Sequence, residues 1–234
     1  VRCGLLGRCT AHNRIKLAPR RLVCTAVPPK REDEQAPPEA RDPRIWPLSA
    51  TMMLSGTAVG VVLPVMPLLV GQLGLSEAQF GIAVSAFGLA KLLGNVPSAV
   101  LVDRLGRRPT LVGGLVVISA GFIAVGSTTS LEGLIFARFL TGLGVSALIS
   151  GAVMAAADIS TARNRASMMA PLMAAFNAGT VLGPAIGGVC AGAVGVSHTF
   201  HVVAAAFAAN AAASHAVVAE TMPAHVAKAA REQS

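Results

Sequence analysis

Residues 93–111 read LGNVPSAVLVDRLGRRPTL. An apolar run leads into the pair Asp103 and Arg104, a glycine at 106, the pair Arg107 and Arg108, and Pro109, after which a second apolar run begins at Thr110. Gly106 permits a tight reversal, and Pro109 suits the first turn of a following helix. Two apolar segments joined by so short and basic a turn are two membrane-crossing helices whose connection lies at a membrane face. Composition points the same way: of 234 residues 53% are hydrophobic and 13% charged, with 4% aromatic and no tyrosine, and mean hydropathy is +0.65. Soluble domains carry charge at about 25% of positions. Charges this scarce, gathered between apolar runs, describe a polytopic, all-α membrane protein and argue against a soluble enzyme.

A crossing needs about 20 predominantly apolar residues, and counting outward from the basic turn predicts six spans: 48–70, 80–102, 110–128, 133–157, 167–192 and 198–218. The first and third hold no charge, the second holds Lys91 and the fourth Arg138. The sixth is mostly alanine with Asn210 and His215, so it needs neighbouring helices to stay inserted. The connections alternate in charge as the positive-inside rule demands. The N-terminal segment, 103–109 and 158–166 are basic, whereas the opposite connections carry only Glu77, Glu132 and His198. Both termini are thereby expected on one, positively biased side.

The net charge of +8 does not imply a nucleic-acid partner. Residues 1–46 hold ten Lys/Arg against five Asp/Glu, and the remainder hold nine against six, with no basic stripe interleaved with aromatics. Residues 1–31 contain eight basic residues, no acidic one and no serine, which resembles an organelle transit peptide of the plastid kind; a basic cytosolic tail is the alternative. Residues 28–47, PPKREDEQAPPEARDPRIWP, read as an extended linker, with Trp46 placed as an interfacial anchor. The organisation is therefore 1–46 transit-like segment and linker, 47–222 six-span body and 223–234 polar tail. Cys3, Cys9 and Cys24 precede the body and only Cys190 lies in it, so no disulfide framework, metal site or cofactor is expected.

Several motifs in the body resemble those of the major facilitator superfamily. Asp103, Arg104, Gly106, Arg107 and Arg108 match motif A, with Ala99 where its leading glycine is expected. GVVLPVMP (60–67) resembles the glycine-to-double-proline pattern of drug-exporting members, and ARFLTGLGVSA (137–147) resembles motif B. GTVLGPAIGG (179–188) resembles the antiporter motif C through Gly179, Gly183, Pro184, Gly187 and Gly188, and Ala219, Glu220 and Thr221 resemble the closing signature of the half. The resemblance covers 48–222 and implies one six-helix half of a twelve-span transporter, built from two inverted three-helix repeats. No internal repeat is visible in the sequence itself.

The resemblance implies that the motif A residues gate, and that Pro184 and its glycines bend the fifth span; simple small-residue packing is the alternative. Arg138 is expected about one turn into the fourth span, facing inward to take part in proton or substrate coupling, with snorkelling as the competing account. Lys91 lies mid-span and, with Asn95 at i+4 and Ser98 at i+7, forms a polar stripe expected to face a central cavity, which Asn177, Thr180 and Asn210 complete. Tetracycline-type exporters carry an acid in the first span at the position aligned with Ser55, and no Asp or Glu lies well inside any span here. Two alternatives follow, a proton site in a second half or uncoupled transport. The implied activity is exporter- or antiporter-like movement of a small organic solute rather than catalysis, with a non-transporting six-helix scaffold as the alternative. The implied partners are the lipid bilayer, a small-molecule substrate, protons, and a missing C-terminal half or a second copy of the chain. A plastid membrane is the expected location.

Overall fold

A computed structural model describes residues 42–217. The transit-like segment, the closing Ala219, Glu220 and Thr221, and the 223–234 tail lie outside the described residues. Six helices follow in order: α1 Ile45–Gln72, α2 Glu77–Leu105, α3 Arg107–Ser127, α4 Leu131–Asp158, α5 Arg165–Val194 and α6 Val196–Val217. Each contains one of the six apolar windows, apart from a residue at the end of the third and the sixth, and each is long and apolar enough to cross a membrane. Hydrocarbon supplies no hydrogen-bond partners, so the backbone must satisfy itself within each helix.

Helix ends are set by local chemistry. Ser76 and Gln79 form a reciprocal capping box at the start of α2, with Gln79 N donating to Ser76 Oγ at 3.3 Å and Ser76 N donating to Gln79 Oε1 at 2.8 Å. Ser130 Oγ accepts from Gly133 N at 3.2 Å to start α4. Gly106 alone joins α2 to α3 at φ 108°, ψ 166°, and Gly195 alone joins α5 to α6 at φ 89°, ψ 161°. Only glycine adopts that region without strain.

The packing displays an internal repeat. α1 packs chiefly on α5, and α4 packs on α2 as extensively as on α3, so the first helix of each triplet lies against the second helix of the other, while α3 packs on α6. The two one-residue glycine joints fall at equivalent places in the triplets and at opposite ends of the bundle, as an inverted relation requires. α3 also packs on α4, and α1 touches α6 far less, so the two triplets are not identical.

Glycine forms the α1–α5 contact. A Cβ on Gly183 would come within 2.5 Å of Gly60 Cα and of the Thr57 carbonyl, one on Gly187 within 3.0 Å of Val61 Cα, and ones on Gly56 and Gly179 would strike the carbonyls of Phe176 and Met53. Gly179, Gly183 and Gly187 thus face α1, whereas Gly188 borders open space. At α2–α4, Ser98 Oγ and Ser146 Oγ lie 3.0 Å apart, so Ser98 serves as interhelical glue rather than part of an open polar stripe. At α3–α6, Phe122 stacks on Phe200 and Phe207 with centroids 6.3 and 5.8 Å apart, and Ser119 Oγ donates to the Ala204 carbonyl at 2.8 Å. α2 and α5 are the least covered helices, exposing Val96 at 73% and Val181 at 78%.

Overpacking a tight interior costs about 1–3 kcal/mol per added group. Gly183→Ala should lower the thermal-melt midpoint of the detergent-solubilised chain by several degrees, while Gly188→Ala should leave it unchanged. Equal melting of both variants would remove the glycine contact as the seam of the fold.

Candidate functional site

Two clusters of polar side chains stand out from the apolar bundle. The first lies at its basic end. Arg107 begins α3, and only 5% of it is exposed. Its Nε donates to Asp158 Oδ2 at 2.7 Å, its Nη1 donates to the Val102 carbonyl at 3.3 Å, and Asp103 Oδ1 lies 3.8 Å from Nη1. Arg108 donates to the His215 carbonyl near the end of α6. The α2–α3 turn, the end of α4 and the end of α6 therefore meet at one face, in agreement with the sidedness expected from loop charge. Arg104 is exposed, as is Ala99, so among the described residues no close helix contact depends on the motif's leading position.

The second cluster lies inside. Ser55, Val59 and Val62 of α1, Val84 and Phe87 of α2, Ile118 and Phe122 of α3, Arg138 and Thr141 of α4 and Phe207 of α6 line a cavity of about 210 Å³. α4 begins at Leu131, so Arg138 lies two turns in rather than one, about 10 Å from the helix start at 1.5 Å per residue. Being 5% exposed, it does not snorkel. Its guanidinium carbon sits 5.0 Å from the centroid of the Phe87 ring, yet Nε has no hydrogen-bond partner and no ion pair reaches it among the described residues. The cost of an arginine rises to about 3 kcal/mol at a helix centre on insertion scales, and a desolvated cation–π contact is worth about 2 kcal/mol. The ring supplies neither a hydrogen bond nor a counterion. Ser55 Oγ, 1% exposed, also lacks a partner.

The other residues expected at the site are not gathered there. Lys91 is half-buried at the midpoint of α2, fourteen residues from either end, and Asn95 is exposed; neither lines the cavity. Asn177 is exposed on α5, and Asn210 on α6 has a buried Nδ2 without a partner. Pro184 lies within a continuous α5 against Gly60 of α1. Asp158, Phe87 and Ser55 complete the two clusters. Asp158 falls in the sequence within the 158–166 connection, outside every predicted span, and Ser55 stands only as the place of an absent acid.

The family model of the Major Facilitator Superfamily matches residues 48–233. The chain belongs to that superfamily. The chain is 37% identical to the inner membrane transport protein YajR of Escherichia coli over 147 residues, covering 60% of this chain and 32% of that protein. It is 31% identical to the quinolone resistance protein NorA of Staphylococcus aureus over 147 residues, covering 62% and 37%. It is 29% identical to multidrug resistance protein 2 of Bacillus subtilis over 145 residues, covering 62% and 36%. The chain spans about a third of the length of these relatives. Its fold is also similar to the human organic anion transporter MFSD10, with a TM-score of 0.65 and 19% identity over 79% of this chain and 50% of that one. The chain is thus an integral, multi-pass membrane protein with the architecture of half of the superfamily's fold.

Removing one partner of a buried, hydrogen-bonded charge pair costs about 2–3 kcal/mol, whereas replacing both by apolar groups is often nearly neutral. Arg107→Gln should therefore lower the melting midpoint by several degrees, and Arg107→Met with Asp158→Leu should recover most of the loss. Unchanged melting of Arg107→Gln would show that the pair does not tie the basic face together.

Proposed function

We propose that this chain is one six-helix half of a secondary transporter, exporter-like, that takes a small organic solute into the cavity under Arg138 and Ser55. The observation that carries the reading is the buried cation left without a counterion among the described residues, in a largely apolar chamber that a residue with an unpartnered hydroxyl also lines. A scaffold has no use for so costly a group, and the named functions of the relatives, inner-membrane transport and drug resistance, favour movement of solute over assembly or catalysis.

The second bundle that alternating access requires would dock on the uncovered faces of α2 and α5, where Lys91, Asn95 and Asn177 would then couple to it. It is supplied by further sequence or by a second copy of the chain. Pro184 deprives the Thr180 carbonyl of its helical amide donor, which gives α5 a place to flex during the cycle. The described acids all lie at or near helix ends or just before α1, as with Glu77, Asp103, Glu132 and Asp158, so a proton carrier belongs to the second bundle.

Two copies joined from the end of α6 to the start of α1, reconstituted in liposomes under a pH gradient, should carry an anionic, a neutral or a cationic naphthalene. Single chains diluted below one per vesicle should carry none. Flux from isolated single chains would remove the need for a second bundle, and a linked pair inert toward all three probes would count against transport.

The basic, acid-free residues 1–31 support import into plastids. Residues 1–45 behind a start methionine should carry a fluorescent reporter to plastids. A diffuse cytosolic signal would return the segment to a solvated tail.

A further inference from the structure

Resting on the transporter reading, we propose that the chamber between α1 and α4 is an anion site, and that the solute it takes is an amphiphilic monoanion, a carboxylate on an aromatic or apolar body. Arg138 and Ser55 would hold the acid group, and Phe87, Phe122 and Phe207 the body.

The two polar groups behave unlike their neighbours. Four hydroxyl residues lie on α1, and three settle onto the carbonyl one turn back: Ser49 onto Ile45 at 2.9 Å, Thr51 onto Pro47 at 3.1 Å and Thr57 onto Met53 at 2.9 Å. Thr141 in the chamber wall does the same, onto Ala137 at 2.7 Å. Ser55 does not, although it is as buried as any of them, so its Oγ is left without a partner in a residue that lines the chamber. Arg138 and Arg107 are each 5% exposed. Arg107 has Asp158, whereas no described carboxylate reaches Arg138. A buried guanidinium without a counterion is completed by an anion, and its fork of donors matches a carboxylate.

Charge and size narrow the class further. With Arg138 unneutralised, a cationic solute would meet like charge in a low-dielectric chamber, so selection against cations is built into the wall. An apolar cavity of about 150 Å³ admits a benzene molecule, so about 210 Å³ admits a ring bearing an acid group and a small further apolar portion.

The test uses the full 234-residue chain in phosphatidylcholine nanodiscs, with radiolabelled 1-naphthoate, 1-naphthylmethylammonium and 1-naphthalenemethanol as probes. Naphthoate should bind saturably and at least tenfold tighter than either of the others. Arg138→Gln should weaken it at least tenfold without lowering the melting midpoint, and Arg138→Lys should retain most of the affinity. Ser55→Asp places a carboxylate of the chain's own in the chamber; it should abolish naphthoate binding and raise the melting midpoint. Equal binding of all three probes, or unchanged naphthoate binding in Ser55→Asp, would overturn the proposal, and the second holds even if Arg138→Gln does not fold. Naphthoate binding without flux through the linked pair would leave the anion site standing and remove transport. Flux of the neutral or cationic probe without naphthoate binding would overturn the anion site and leave transport intact.

Discussion

Apolar helices in hydrocarbon gain nothing by hiding from lipid that is as apolar as they are, so their association rests on how closely backbones approach. In this chain a very close approach is between α1 and α5, where Gly60 meets Gly183, Gly56 faces the Phe176 backbone, and Gly179 and Gly187 face the backbones of Met53 and Val61, with no room for a methyl group. That contact sets the rotation of α1 about its own axis. Once the glycine face is turned to α5, helical geometry places Ser55, Val59 and Val62 about a quarter to a third of a turn away, toward the interior. The chamber is thus a by-product of the seam: the same helix that fits against α5 must present a hydroxyl and two valines to α4.

Two arginines of equal burial show what the bundle does with charge. Arg107 joins helix ends, satisfied by a carboxylate and a carbonyl, and its position at the membrane face makes the arrangement cheap to solvate. Arg138 lies two turns deep with an aromatic ring for company. The first is a fastening; the second has a charge that no described carboxylate completes. The division of labour between a fixed basic face and an unfinished interior is what the exporter-like reading requires.

Much of this was legible in the sequence. Length and apolarity located all six helices, and charge alternation between the loops placed the basic turns on one side, as the contacts of Arg107 and Arg108 with the ends of α4 and α6 bear out. What escaped was tertiary. Asp158 lies 51 positions from Arg107, and no local pattern pairs them. The glycines of 179–188 read as a bend because a proline sits among them, yet three of them line a contact whose other half is 120 residues earlier. Lys91, Asn95 and Ser98 share a helical stripe, but period alone does not say which side of a helix a neighbour covers: α4 takes Ser98, while Asn95 stays exposed. Ser55 was readable only as a missing acid, and its unpartnered hydroxyl required the fold.

Gly106 and Gly195 are pin joints. A connection of one residue bridges two flanking Cα atoms that can separate by no more than about 7 Å, so α3 can pivot against α2, and α6 against α5, but neither can slide along its partner. Slack resides instead in residues 159–164, the longest link between described helices. Any rocking of this half is therefore transmitted from α2 through the pinned turn to α3, and from Arg107 across to α4, so a push applied at one membrane face arrives at the chamber as rotation rather than being lost as shear.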